Sequence, residues 1–211
     1  MIEKVFSNLH KYYGDQNWWP ANSEFEIMVG AILAQNSKWE SVEKAIMTLK
    51  ENDALSPEII ANTSANQLAT WAHTLDDKAA NLKTFCQWYL EQGALSGLKE
   101  RDTDELREEL LQIDGIDEEI ADSILLYALE RPVFVIDDNL RRLFFRLGMI
   151  NGNERYDELK HVTELTLQWD VEIFNEYHAL IVKHTKEHCR TNPICEGCPL
   201  DHLCPNEKND S

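Results

Sequence analysis

Leu111-Gln-Ile-Asp-Gly-Ile-Asp-Glu-Glu-Ile-Ala-Asp122 is the stretch from which the rest of the chain is read. A helix end, a glycine turn and a second helix start lie within these residues, the pattern of two helices joined by a tight hairpin. Backbone N–H groups at Gly115, Ile116 and Asp117 can face an anion from the start of the second helix, although an ordinary helix–helix connection fits the same residues. Val133-Phe-Val-Ile-Asp-Asp-Asn-Leu-Arg-Arg142 follows, in which an apolar run ends at Asp137 and a helix opens. Taken alone, Asp137 is an N-cap.

Helical spacing extends in both directions from the hairpin. Phe25, Ile27, Met28, Ile32 and Leu33 predict a buried helix after the start signal Asn22-Ser23-Glu24, and Val42, Ala45, Ile46 and Leu49 predict another, stopped at Asn52-Asp53. Further helices are predicted over 57–62, 64–73, 77–92, 104–112, 118–129, 137–147, 156–170 and 171–186, with Ser64 and Thr103 as N-caps. Val133 to Ile136 is the only β-like run and is too short to found a sheet. The expectation is an all-α chain with a loop-rich tail.

The chain has 211 residues, 43% hydrophobic, with a formal charge of −18. Such a composition supports a folded core rather than disorder. No apolar run approaches the ~20 residues of a spanning helix, and Met1-Ile2-Glu3-Lys4 does not open a signal peptide, so a soluble cytoplasmic protein without membrane association is expected. The acidic balance points away from nucleic acid, whose partners normally show a basic footprint. Residues 100–130 alone carry twelve Asp/Glu against two Arg.

Four of the five cysteines fall within sixteen residues, as Cys189-x5-Cys195-x2-Cys198-x5-Cys204. In a reducing compartment clustered thiolates read as a metal site rather than a disulfide framework. Four sulfurs suit tetrahedral zinc or an iron–sulfur cluster, and the wide outer spacings favour the larger object. Cys86, between Phe85 and Trp88, is expected in the core.

Hairpin, aspartate and four-cysteine loop, in that order, resemble the helix–hairpin–helix DNA glycosylases of the endonuclease III type. Gln35 in Leu33-Ala-Gln-Asn-Ser37 is similar to the segment that fills the gap left by a flipped nucleotide. Asp77-Lys-Ala-Ala-Asn-Leu82 resembles the helix after the second wedge loop, and His178-Ala-Leu-Ile-Val182 the helix leading into the cluster. The resemblance implies two lobes: residues 22–132, a six-helix barrel with the hairpin at about 106–130, and residues 1–21 plus 133–211, with a cluster loop over 189–204. It implies a [4Fe–4S] cluster on Cys189, Cys195, Cys198 and Cys204. It further implies a monomer binding double-stranded DNA, with hairpin residues Gly115, Ile116 and Asp117 on the backbone and a damaged base flipped towards catalytic Asp137.

Matched positions select a branch. Bifunctional members carry a Schiff-base lysine where this chain has Glu119, and a carboxylate forms no imine. Mismatch adenine glycosylases carry a general-acid Glu where this chain has Ala31. The substrate expected is therefore one whose glycosidic bond is already weak, an N-alkylated purine such as 3-methyladenine. Trp18-Trp19-Pro20 followed by Trp39 resembles the base pocket of the bacterial 3-methyladenine glycosylase branch. An oxidised-pyrimidine or uracil glycosylase, and a non-catalytic DNA-binding relative, are the alternatives. The sequence departs from the pattern at Asp117, which stands in place of the hairpin's second glycine. Cations for the phosphates are sought instead at Arg141, Arg142, Arg146, Lys183, His184, Lys186, His188 and Arg190.

Overall fold

The computed structural model describes residues 1–16, 18–19, 21–35, 37–167 and 169–205. All regular structure among these residues is helical, and none of the helices is long and apolar enough to cross a membrane. The chain divides into two compact units, residues 21–131 and residues 1–20 with 132–211.

Helix α1 (Ile2–Tyr13) belongs to the second of these units and buries Ile2, Val5 and Leu9 from one face. The unit of residues 21–131 is organised around α2 (Glu24–Ala34), where Ser23 caps the start by accepting from the Glu26 N–H. Residues 28–33 of α2 are all buried, so this helix is covered on every side, as expected of a central core helix. It packs on α3 (Trp39–Glu51), whose Val42, Ala45, Ile46 and Leu49 form the facing stripe. Short helices α4 (Pro57–Asn62) and α5 (Ala65–Trp71) are capped by Ser56 and Ser64 and lie against α6 (Asp76–Glu91). After α6 come α7 (Ala94–Lys99), absent from the sequence expectation, and α8 (Thr103–Leu110). The cap of α8 is Asp102 rather than Thr103: its carboxylate accepts from the N–H groups of Asp104 and Glu105, two orphan donors instead of one.

The hairpin turn leads into α9 (Glu118–Ser123). A single helix was expected over 118–129, but the chain loosens into a π turn over Ile124–Ala128, with the Leu129 N–H reaching the Ile124 carbonyl. Asp122, fully buried on α9, is held by Arg107 of α8 through two hydrogen bonds of 2.6 and 3.1 Å. That pair ties the two hairpin helices together.

In the other unit, residues 133–136 are buried and extended without forming a strand. Their donors find side chains instead: Phe134 N–H gives to Glu164 Oε1 at 2.8 Å and Ile136 N–H to the Tyr156 hydroxyl at 3.2 Å. The run feeds α10 (Asp138–Arg146), which together with α1 packs on α12 (Val171–Glu187). Helix α11 (Tyr156–Thr166) supplies Glu164 and Lys160, 3.2 Å apart. Phe134 packs edge-on against Phe174 of α12 with centroids 5.3 Å apart, anchoring the segment that delivers Asp137.

Candidate active site

Asp137 is the N-cap of α10, and its local role explains its precision. Oδ1 accepts from the Leu140 N–H at 2.8 Å and Oδ2 from the Asn139 side-chain amide at 2.6 Å. His178 of α12 brings Nε2 to 3.6 Å from the same Oδ2. Asn139 is fixed in turn, because its own oxygen accepts from Arg142 and from the Thr185 hydroxyl. Burial, the largest influence, would raise the Asp137 pKa; His178 and the two donated hydrogen bonds outweigh it and hold the carboxyl below the usual value. A carboxylate that is 7% exposed is thus kept ionised at neutral pH. The sequence reading singled out Asp137 but missed Asn139 and gave His178 no role; a histidine on a mostly apolar helix face was the available signal.

Trp18 and Trp19, in the same unit as Asp137, are half-buried, with ring centroids 6.2 Å apart at 73°. Lys186 lies over the Trp18 ring at 5.9 Å. Pro20, the third expected member of the pocket, lies outside the described residues. Trp39 opens α3 in the other unit and donates from Nε1 to Glu43 at 2.8 Å.

The four cysteines 189, 195, 198 and 204 line one cavity of about 320 Å³. Arg146 crosses its wall, donating to Cys189 Sγ at 3.4 Å and to the Arg190 and Thr191 carbonyls, while Arg142 donates to the Cys189 carbonyl at 2.9 Å. Arg142 and Arg146, sought as phosphate contacts, are therefore committed to the cysteine loop. Arg141 likewise donates to the Glu154 carbonyl at 3.0 Å. His184 is buried and drawn down to about 4 by that burial and by His188, so it is neutral at pH 7 and adds no charge. Burial first, and the neighbouring cysteines after it, push the Cys198 thiol up. Among the described residues, the three donors lying within 4.8 Å of one another are His10, Asp15 and Glu176, not the cysteines. The four thiols and the flanking arginine cations together offer sulfur ligands and counter-charge for an anionic group.

The unit of residues 21–131 holds the hairpin and Gln35. Gly115 turns the chain at φ +81°, and Ile116, buried, gives its N–H to the Ile113 carbonyl. A Cβ at position 115 would meet Asn81 Nδ2 at 1.8 Å, so Asn81 of α6 fills the space that glycine leaves. Asp117 caps α9 with Oδ1, accepting from the Ile120 N–H at 2.9 Å, and with Oδ2 accepts from Gln35 Nε2 at 2.7 Å. Lys78, one turn before Asn81 on α6, donates to the carbonyls of Leu33 and Gln35 and to Ser37 Oγ. Burial draws its pKa below the ordinary lysine value. Glu119 is exposed on the first turn of α9, and Ala31 is buried in α2. No local pattern signals that Lys78 and Asp117 meet at Gln35, or that Asn81 packs against Gly115.

Residues 29–167 match the HhH-GPD superfamily of base excision DNA repair proteins, and the chain belongs to that superfamily as a DNA repair glycosylase. It is 45% identical over 210 residues to a Methanocaldococcus jannaschii protein that bears the name of a DNA repair glycosylase, covering 97% of this chain and 96% of the relative. Endonuclease III of Sulfolobus acidocaldarius is 24% identical over 199 residues, 85% of this chain and 81% of that one. Among solved structures, the H. pylori 3-methyladenine DNA glycosylase bound to 1,N6-ethenoadenine superposes with a TM-score of 0.77 at 27% identity, covering 88% of this chain and 97% of that chain. A non-covalent endonuclease III–DNA complex shares the fold with a TM-score of 0.80 at 21% identity, covering 97% and 94%.

Proposed function

We propose that the chain is a monofunctional glycosylase that binds damaged double-stranded DNA and hydrolyses the N-glycosidic bond of a flipped N-alkylated purine such as 3-methyladenine. The observation that carries this reading is Asp137, buried, ionised and held on three sides by Leu140, Asn139 and His178. An alkylated purine is cationic and leaves without added protonation, so the absence of a general acid at Ala31 is no obstacle. As the bond breaks, positive charge moves onto the sugar, where the Asp137 carboxylate stabilises it and orients a water for attack. Preorganised charge of this kind accounts for roughly 2.7–4 kcal/mol of barrier in other enzymes.

The tryptophan faces of Trp18, Trp19 and Trp39, with Pro20, would select the cationic base, at ~0.5–2 kcal/mol per good contact. Gln35 would fill the vacated stack, and the hairpin at Gly115, Ile116 and Asp117 would lie against the DNA backbone. Glu119 in place of a lysine leaves no amine there for a Schiff base, which makes the activity hydrolysis without strand cleavage at that position. Cys189, Cys195, Cys198 and Cys204 would hold a [4Fe–4S] cluster, whose contribution when bound is to cross-link the C-terminal loop. The similarity at 27% identity to a 3-methyladenine glycosylase supports the alkylpurine reading.

The test is a panel of duplexes, methylated, oxidised-pyrimidine and uracil-bearing, assayed for free base and for strand breaks. Release of 3-methyladenine without breaks is expected. Faster release of an oxidised pyrimidine or uracil would replace the substrate assignment, and release from none of the three would overturn the enzymatic one.

A further inference from the structure

Gln35 follows α2 as its C-cap, at a point where helix carbonyls lack partners and the helix dipole presents negative charge. Lys78 answers both needs. Its ammonium has three donors, and they go to three positions of one loop: the carbonyl of Leu33 at 3.1 Å, the carbonyl of Gln35, and the hydroxyl of Ser37 at 2.9 Å. The backbone on both sides of the Gln35 side chain is thereby bracketed. Three residues further along α6, on the same face, Asn81 packs against the Gly115 turn. One helix therefore grips the loop and the hairpin together. Asp117 closes the arrangement, because both of its carboxylate oxygens are assigned, one to the cap of α9 and one to the Gln35 amide.

We infer that Asp117 and Lys78 are positioning residues for Gln35: they hold its backbone and its amide ready before DNA is bound, so that the wedge inserts without a search through side-chain rotamers. This rests on the wedge role given to Gln35 above. Glutamine loses considerable rotamer freedom on being fixed, and fixing it in the free protein removes that cost from the insertion step. The carboxylate also decides the amide's orientation. Its NH2 faces Asp117, which leaves the carbonyl oxygen as the group presented elsewhere. An acid at position 117, in place of the hairpin's second glycine, acquires a purpose that glycine cannot serve.

Two neutral variants isolate the effect. Asp117→Ser keeps an N-cap oxygen but has no second group for Gln35. Asp117→Asn keeps the cap and offers an amide to which Gln35 can bond after turning its own. Both remove the same charge, so their difference reads the Gln35 contact alone. The assay is stopped-flow fluorescence of 2-aminopurine beside a tetrahydrofuran abasic analogue in duplex DNA, which reports insertion without base release. Losing one neutral hydrogen bond corresponds to roughly a fivefold change in rate, so Asp117→Ser should be about fivefold slower than Asp117→Asn. On a Gln35→Ala background, Asp117→Ser should slow the step no further, since the partner is gone. Equal rates for the Ser and Asn variants, or the same slowing by Asp117→Ser with and without Gln35, would overturn the proposal. A wild-type protein that leaves the probe dark to binding would overturn it through the wedge reading itself, and the wild-type signal separates that failure from the other.

Discussion

Replacing Asp137 by Asn separates its cap from its charge. Asparagine caps a helix as well as aspartate does, so the bond to the Leu140 N–H survives. The cost falls on the other oxygen. Asn139 now points an amide at an amide, and it cannot simply turn, because its oxygen is engaged by Arg142 at 2.8 Å and Thr185 at 3.1 Å. The bond lost from Asn139 ends on an ionised carboxylate and is worth about 1.5–3 kcal/mol, so the variant should still fold but melt several degrees lower. Catalysis should suffer far more, by a factor of about 10²–10³, the loss expected when preorganised charge is removed from a developing cation. Single-turnover release of 3-methyladenine, with lesion binding measured in parallel, is the assay. The depressed carboxyl also sets a pH signature. A group whose folded pKa lies below its unfolded value stabilises the fold above that unfolded value, about 3.9, and loses the contribution as pH falls through the folded one. Wild type should therefore lose its stability advantage over Asp137→Asn only below about pH 4. Wild-type turnover by Asp137→Asn would refute the catalytic assignment, however well the carboxylate is placed.

Protein purified anaerobically should be brown and carry about four irons per chain; colourless protein with stoichiometric zinc would refute the cluster assignment. Borohydride should fail to trap the chain on lesion-bearing DNA through position 119, and trapping that disappears in Glu119→Gln would contradict the monofunctional reading. Trp19→Ala should narrow the preference for alkylated over normal purines in competitive excision assays, while an unchanged ratio would remove Trp19 from the pocket. Arg107→Met removes the guanidinium that donates twice to the buried Asp122 carboxylate and should cost roughly 3–5 kcal/mol in denaturant unfolding. A loss below about 1 kcal/mol would mean the pair is no more than a surface contact.

Local chemistry made much of this protein readable before any coordinates. The apolar stripes at 25–33 and 42–49, the serine caps at positions 23 and 64, and the cap at Asp137 act over a few residues and appear in the sequence as written. The cysteine spacing belongs to the same class, since a short loop brings its own thiols to one cavity. The misses were of two kinds. Helix α1 carries a clear helical stripe at Ile2, Val5, Phe6 and Leu9 that the sequence reading passed over, and the short α7 has a glycine in its middle. The π turn at 124–128 interrupts an otherwise regular helical pattern, and at Asp102 the neighbouring Thr103 offered a competing cap; the run at 133–136 is extended without a strand, as expected, and packing supplies its side-chain acceptors. No periodicity joins Gln35 to Asp117, 82 positions away, Lys78 to Gln35, 43 away, or His178 to Asp137 in the next-but-one helix. Backbone propensity and capping act within about one helical turn. Side-chain pairs at longer range exist only after helices have packed, and those pairs set the charge on Asp137 and the posture of Gln35.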